Sequence, residues 1–282
     1  MKMQRLHLEF CRLLSLPEIK KPHHSANLYI TKLLKAGKKV AICEQTEDPK
    51  LSKGLVKREV VRIITPGTVL DDNILDPKKD QFIASIYFLK NQIGIAVVDL
   101  STGVFKVTQI DGKNALSLLS DELHKLDPKE VIIPKSIKDE IQPLLPKGEV
   151  FVHTEEDWTF SFSEAYRQLI KHFKTQSLEG FGCENKNAAI SSAGALIHYL
   201  QETQKSAIEH ITTLTLFPIH NYMALDQSTL ASLELVQSSE GSRKNSLLDL
   251  LDLSETSMGA RRIREWILKP LIDAERIQER LS

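Results

Sequence analysis

The carboxylate best placed for chemistry is Asp99, which ends the apolar run IGIAVVD and opens the turn DLSTG. A carboxylate at the end of a buried strand can hold a metal ion for phosphoryl transfer, but a two-metal site needs several carboxylates converging on ions about 4 Å apart. No other strand-like run supplies such partners, so Asp99 reads better as a turn residue capping backbone N–H groups. His23 and His24 precede a helical stretch and could face a metal or a phosphate. Adjacent side chains point apart and no third ligand has zinc-like spacing, which favours a structural or phosphate-facing loop. Lys50, Lys53, Lys57, Arg58 and Arg62 form a dense basic cluster that could neutralise phosphates. Glu44, Glu47, Asp48 and Glu59 lie among them, and on composition alone a mixed-charge loop is more often simply solvated. In MGARRIREWILKP the cations Arg261, Arg262, Arg264 and Lys269 surround Ile263, Trp266 and Ile267, a pattern that favours a packed helix over a DNA-reading one. The sequence has no G-x-x-x-x-G-K-[S/T] and no G-x-S-x-G, so neither a phosphate-cradling loop nor a nucleophile elbow is encoded.

These residues must be held by elements whose signals are uneven along the chain. Its 282 residues are enough for two or three cores, and 41% hydrophobic with 26% charged residues is ordinary globular usage. Lys plus Arg equals Asp plus Glu at 37 each, so no global field gathers nucleic acid and any DNA contact must be local. Cys11, Cys43 and Cys183 are too scattered for a disulfide framework or a zinc knuckle, which fits a reduced, cytoplasmic setting. No apolar run reaches the roughly 18 residues that span a bilayer, so no membrane partner is expected.

Leu6 to Leu16 has helical spacing, and Ser25 can cap a second helix with Tyr29, Ile30, Leu33 and Leu34 on one face and Gly37 as its stop. VAIC at 40–43 and EVVRIIT at 59–65 read as strands around a charged loop, and DDNILDPKKDQ at 71–81 reads as a linker. The runs at 82–89, 93–100 and 104–110 predict an antiparallel meander with the first two strands central. A helix over 114–126, short strands at 130–134 and 149–153, and a helix over 163–173 complete an α/β pattern with a mixed sheet. From 187 onward strand signals fade, and stripes at Ile190, Ala193, Ile197 and Leu200, at Leu230, Leu233 and Val236, and at Ala260, Ile263 and Ile267 predict helices.

Three long stretches resemble the MutS family of DNA mismatch-repair proteins: residues 22–72, with VAICEQ and KREVVRIITPGT; residues 178–206, with LEGFGCENKNAAISSAGALIHYLQ; and residues 222–273, with ETSMGARRIREWILKPL. Strings of this length do not recur by chance. Between them, residues 82–177 resemble the family's connector in the order of strands and helices.

The resemblance implies an α/β multidomain chain: a truncated mixed α/β mismatch-recognition domain over 1–75, an RNase H-like α/β connector over 76–185, and the first helices of an all-α core over 186–282. It implies that His23, His24, Lys32, Lys53, Lys57 and Arg58 lie on or near the DNA-facing side and hold backbone phosphates. The F-Y-E wedge that family members insert at a mismatch is absent, since Phe10 sits in LEFCRLL, so binding to double-stranded DNA is expected to be weak and not mismatch-selective. The family's ATP and Mg belong to a carboxyl-terminal ATPase, so no cofactor and no enzymatic activity are expected of this chain. A MutL-type partner is implied for the connector. The homodimer of full-length members is not expected to be completed here. Two rival readings remain: an interaction module that does not touch DNA, and an RNase H-like nuclease centred on Asp99.

Overall fold

The computed structural model describes residues 29–34, 36–45, 57–69, 76–146, 150–204, 208–219 and 221–282. The expected helix over Leu6 to Leu16 lies outside them, as does the Ser25 cap. Residues 29–34 are helical, and the stop is where the glycine predicts it: Gly37 takes φ +67° while the Gly37 and Lys38 amides donate to Leu34 and Leu33 carbonyls. Strands β1 (Val40–Gln45) and β2 (Arg58–Ile64) pair antiparallel, and Leu34, Val40 and Val69 form a small core beside them.

The central unit is a six-stranded mixed sheet. Strands β3 (Phe82–Leu89), β4 (Gln92–Asp99) and β5 (Val104–Asp111) form the expected antiparallel meander. Helix α1 (Ala115–Leu126) follows, then β6 (Glu130–Pro134) runs parallel to β3, and β7 (Phe151–Glu155) runs parallel to β6. A two-residue strand, β8 (Thr215–Leu216), adds in parallel to the far edge, giving the order β7-β6-β3-β4-β5-β8. Two residues are too few to show alternation, which is why no strand is legible there.

Both faces of this sheet are covered. Ala84, Ile86, Ile95, Val97, Val131 and Ile133 pack under α1 through Leu119 and Leu123, whereas Leu116 on the same helix is exposed. Ile83, Ala96, Val98, Phe105, Val107 and Ile132 pack under α3 (Phe162–Phe173) and α4 (Asn187–Gln204); the short α2 (Lys138–Ile141) lies after β6. The sequence places α4 at the head of the helical tail. The structure differs: fourteen of its eighteen residues are buried, and it lies against β4 and β3 as the main cover of one sheet face. Gly94 makes this possible, because a Cβ there would sit 1.9 Å from the Ala188 carbonyl oxygen. Beside it, the Gln109 side-chain oxygen accepts the Ala188 amide at the head of the helix, 3.1 Å away.

The tail holds α5 (Gln227–Ser232), α6 (Leu247–Leu251), α7 (Ser257–Leu268) and α8 (Ala274–Leu281). Each is capped as its sequence dictates, with Asp226, Ser246, Thr256 and Asp273 accepting the amides of Thr229, Asp249, Gly259 and Arg276. The expected helix through Leu233 and Val236 stops at Ser232, and Glu234 turns left-handed at φ 48°. Leu225, Leu230, Leu235 and Leu268 make a small core of their own. No described helix is long and apolar enough to cross a membrane.

Candidate nucleic-acid interface and the junction behind it

Of the six residues expected at phosphates, three can be placed. Lys32 is exposed on the helical segment 29–34, Lys57 is exposed just before β2, and Arg58 is the first residue of β2, opposite Gln45 in the backbone register. His23, His24 and Lys53 lie outside the described residues. Lys57 pairs with Glu59 at 2.6 Å, and both are solvated, so the pair is worth little to stability.

Arg62, a member of the same basic cluster, does something else. Its Nε donates to Gln204 Oε1 at 3.0 Å and its Nη2 to the Thr68 carbonyl at 3.0 Å, while Gln204 Nε2 donates to the Ile63 carbonyl at 3.1 Å. The guanidinium therefore ties β2 to the end of α4 and is spent inside the protein. Next to it, Glu130 is fully buried at the head of β6. Its Oε2 accepts from Thr65 Oγ1 at 2.5 Å and from the Gly67 amide at 3.3 Å, and its Oε1 accepts from Tyr199 OH at 2.5 Å. A buried carboxylate persists only when its oxygens are satisfied in this way. Burial and the Glu130 carboxylate together push the Tyr199 phenol well above its usual range, so it stays a donor.

Lys39 extends the junction. Its Nζ lies 2.8 Å from His153 Nδ1 and faces the rings of Phe151 and Tyr199 at 5.5 and 5.4 Å. His153 Nε2 is 2.6 Å from Glu155 Oε1. Donors and acceptors close when His153 carries its proton on Nε2: Lys39 donates to Nδ1 and the imidazole donates to Glu155. Burial pulls the Lys39 ammonium down, opposed by Glu130, Glu155 and Glu202. Burial also pushes Glu155 up, but the His153 hydrogen bond and the Lys39 ammonium help outweigh it and hold the carboxyl low. None of Glu130, Tyr199, Lys39 or His153 stands out by spacing. The one available signal was Glu130, a charge heading the otherwise apolar strand EVIIP.

Asp99 is also fully buried. Its Oδ2 accepts the Gln81 amide at 3.1 Å, and its Oδ1 accepts the Ser101 amide at 2.8 Å and the Ser101 hydroxyl at 2.6 Å. Oδ1 closes the β4–β5 turn and Oδ2 holds the residue that leads into β3, so both oxygens are occupied. Among the described residues no group of three or more His, Cys, Asp or Glu side chains could hold a metal ion.

At the other end, α7 faces the central unit with its cations. Arg261 faces Asp80, Lys106 pairs with Glu265 at 3.2 Å, and Lys269 pairs with Glu122 at 3.1 Å under the ring of Phe217. Arg262 and Arg280 lie over Trp266. The packed reading of this helix holds only in part: Ala260 and Leu268 are buried and Ile267 packs against the tail core, but Trp266 is exposed, with Arg261 facing a carboxylate and Arg262 an aromatic ring.

Comparison with known proteins matches the chain in three successive parts. The family models for MutS domain I, MutS domain II and MutS domain III match residues 12–73, 81–212 and 228–282. The DNA mismatch repair protein MutS of Halothermothrix orenii is 45% identical over 270 residues, covering 93% of this chain and 29% of that protein. Those of Symbiobacterium thermophilum and Salinibacter ruber are 42% and 39% identical, covering 92% and 93% of this chain and 30% and 29% of theirs. The chain thus spans less than a third of the length of these relatives. With three successive domains of one family matched in order along it, the chain belongs to the MutS family.

Proposed function

We propose that the chain acts in DNA mismatch repair as a DNA-contacting and signal-relaying unit. In this reading residues 12–73 lay cations on a duplex, residues 81–212 are an RNase H-like connector, and residues 228–282 begin an all-α core. The topology supports the connector assignment: a meander of β3, β4 and β5, a helix, and then two parallel strands added beside the first strand of the meander. The relay rests on one observation, the buried junction in which Thr65, Gly67 and Arg62 are bonded to Glu130 and Gln204. Directional bonds of this kind fix an angle between two units where apolar contact alone would let them slide. MutL-type partners would meet the connector, and the ATP and Mg of the family's ATPase would act outside the three matched domains.

His23, His24, Lys32, Lys53, Lys57 and Arg58 are proposed as the phosphate contacts. Without a wedge aromatic they position the protein on a duplex and do not select a mismatch. Fluorescence anisotropy with a labelled duplex at two salt concentrations tests this. The expected result is weak binding that falls steeply with salt and is equal for matched and mismatched DNA. A clear preference for the mismatch would refute the wedge-free reading. The pairing of Lys57 with Glu59 favours a second reading, an interaction module that leaves DNA alone; no binding at low salt would select it.

A further inference from the structure

Between the central unit and the tail lies a cleft of about 640 Å³, within the range of small-ligand sites. It is walled by β3, β4 and β5 on one side and by α7 on the other. Six cations line it: Lys106, Lys125, Arg261, Arg262, Arg264 and Lys269. Against them stand three carboxylates, and two of these are shared. Glu265 serves both Lys106 and Arg262, Glu122 serves both Lys125 and Lys269, and Asp80 faces Arg261.

Two guanidinium groups in the cleft are left short of acceptors. Arg261 Nε is buried with no hydrogen-bond partner among the described residues, and the Asp80 oxygen it faces is 3.8 Å away, too far for one. Arg264 forms no ion pair among the described residues, and its Nη1 has only a long bond of 3.4 Å to the Lys125 carbonyl. The nearby Asp127 is already paired with Lys129 at 2.8 Å. Burial of Arg264 lowers its pKa, the mark of a charge held away from water, although a guanidinium stays protonated at any working pH. A concave, partly apolar wall focuses the field of such an excess, so the cleft favours a ligand with more than one negative charge. Planar forks of N–H donors match phosphate oxygens in particular. The same cleft offers Phe217, Tyr222 and Met258 as an apolar wall, against which a flat group attached to the phosphates could rest.

We propose that this cleft binds a small molecule carrying a di- or triphosphate group, with Arg261 and Arg264 of the tail and Lys106 of the sheet as its principal contacts. Because those contacts come from both sides, the ligand would hold α7 against the sheet. The site is independent of the amino-terminal cations, so it stands or falls separately from the DNA-binding reading.

Isothermal titration calorimetry of the whole chain with sodium pyrophosphate, in buffer containing a chelator, tests the proposal. Saturable one-site binding is expected, weakened about tenfold or more in R264Q and in K106Q. Lys106 is partly solvated on β5, so K106Q keeps the test valid even if R264Q fails to fold. ADP and pyrophosphate distinguish the source of the phosphates: tighter binding of ADP supports a nucleotide resting on Phe217 and Tyr222, and equal binding supports recognition of the phosphates alone. No saturable heat up to about 10 mM, or binding that K106Q leaves unchanged, would overturn the proposal.

Discussion

Asp99 shows how one carboxylate separates two chemistries. A metal-binding aspartate keeps lone pairs free for an ion, whereas here three donors from Gln81 and Ser101 occupy both oxygens. Asp99→Ala is therefore expected to lower stability by about 1–3 kcal/mol through buried amides left unpaired, measured by urea unfolding. A magnesium-dependent DNA-cleaving activity that this substitution abolished would restore the nuclease reading. Tyr199 is the matching case at the junction. Tyr199→Phe removes the hydroxyl from Glu130 Oε1 and leaves a buried carboxylate oxygen without its donor. A loss of about 1–3 kcal/mol is expected, and a change within experimental error would show that the junction is not set by this bond.

At the scale of elements, the sheet was legible because its strands are apolar runs bounded by turn residues, and β3 to β6 fall within a residue or two of their predicted ends. Helix α4 was placed in the wrong company for a physical reason. Its apolar stripe shows that it is a helix but not which layer buries it, and small residues such as Ala188, Ala189 and Gly194 fill the rest of its surface. What decides the layer is Gly94, on another element, and its close approach to Ala188 has no local signature. The junction was illegible for the same reason: Thr65 and Glu130 are 65 residues apart, Arg62 and Gln204 are 142 apart, and pairs so distant leave no period in a sequence. The exposed cations were easier to nominate, since Lys32 and Lys57 are exposed as lysines usually are. Gly94→Ala should force β4 and α4 apart and cost about 1–3 kcal/mol, while Gly180→Ala, where a Cβ meets nothing within 4 Å, should be nearly neutral. Equal effects at the two positions, read by thermal unfolding, would contradict this account of how α4 docks.

Across the whole molecule, burial is unevenly distributed. The central sheet is covered on both faces, but in the tail Leu250, Leu253 and Met258 are 74%, 87% and 79% exposed, and Leu233 is 59% exposed. A tail core of four buried leucines is too small to hold about seventy residues on its own. Residues 208–282 expressed alone are therefore expected to bind the dye ANS and to melt without a cooperative transition. A sharp transition in differential scanning calorimetry would show that the tail carries its own stability.

The leading end of β3 has one further consequence. Lys78 and Asp80, just ahead of that strand, meet Ser254 and Arg261 of the tail, while Ile83 and its ladder partner Glu130 receive Gly67 from the amino-terminal side. At strand spacing, Asp80 and Ile83 are only about 10 Å apart. The sheet therefore need not conduct strain across its width: both neighbours pull on a common fulcrum, and torque applied by either would be felt by the other through three residues of backbone.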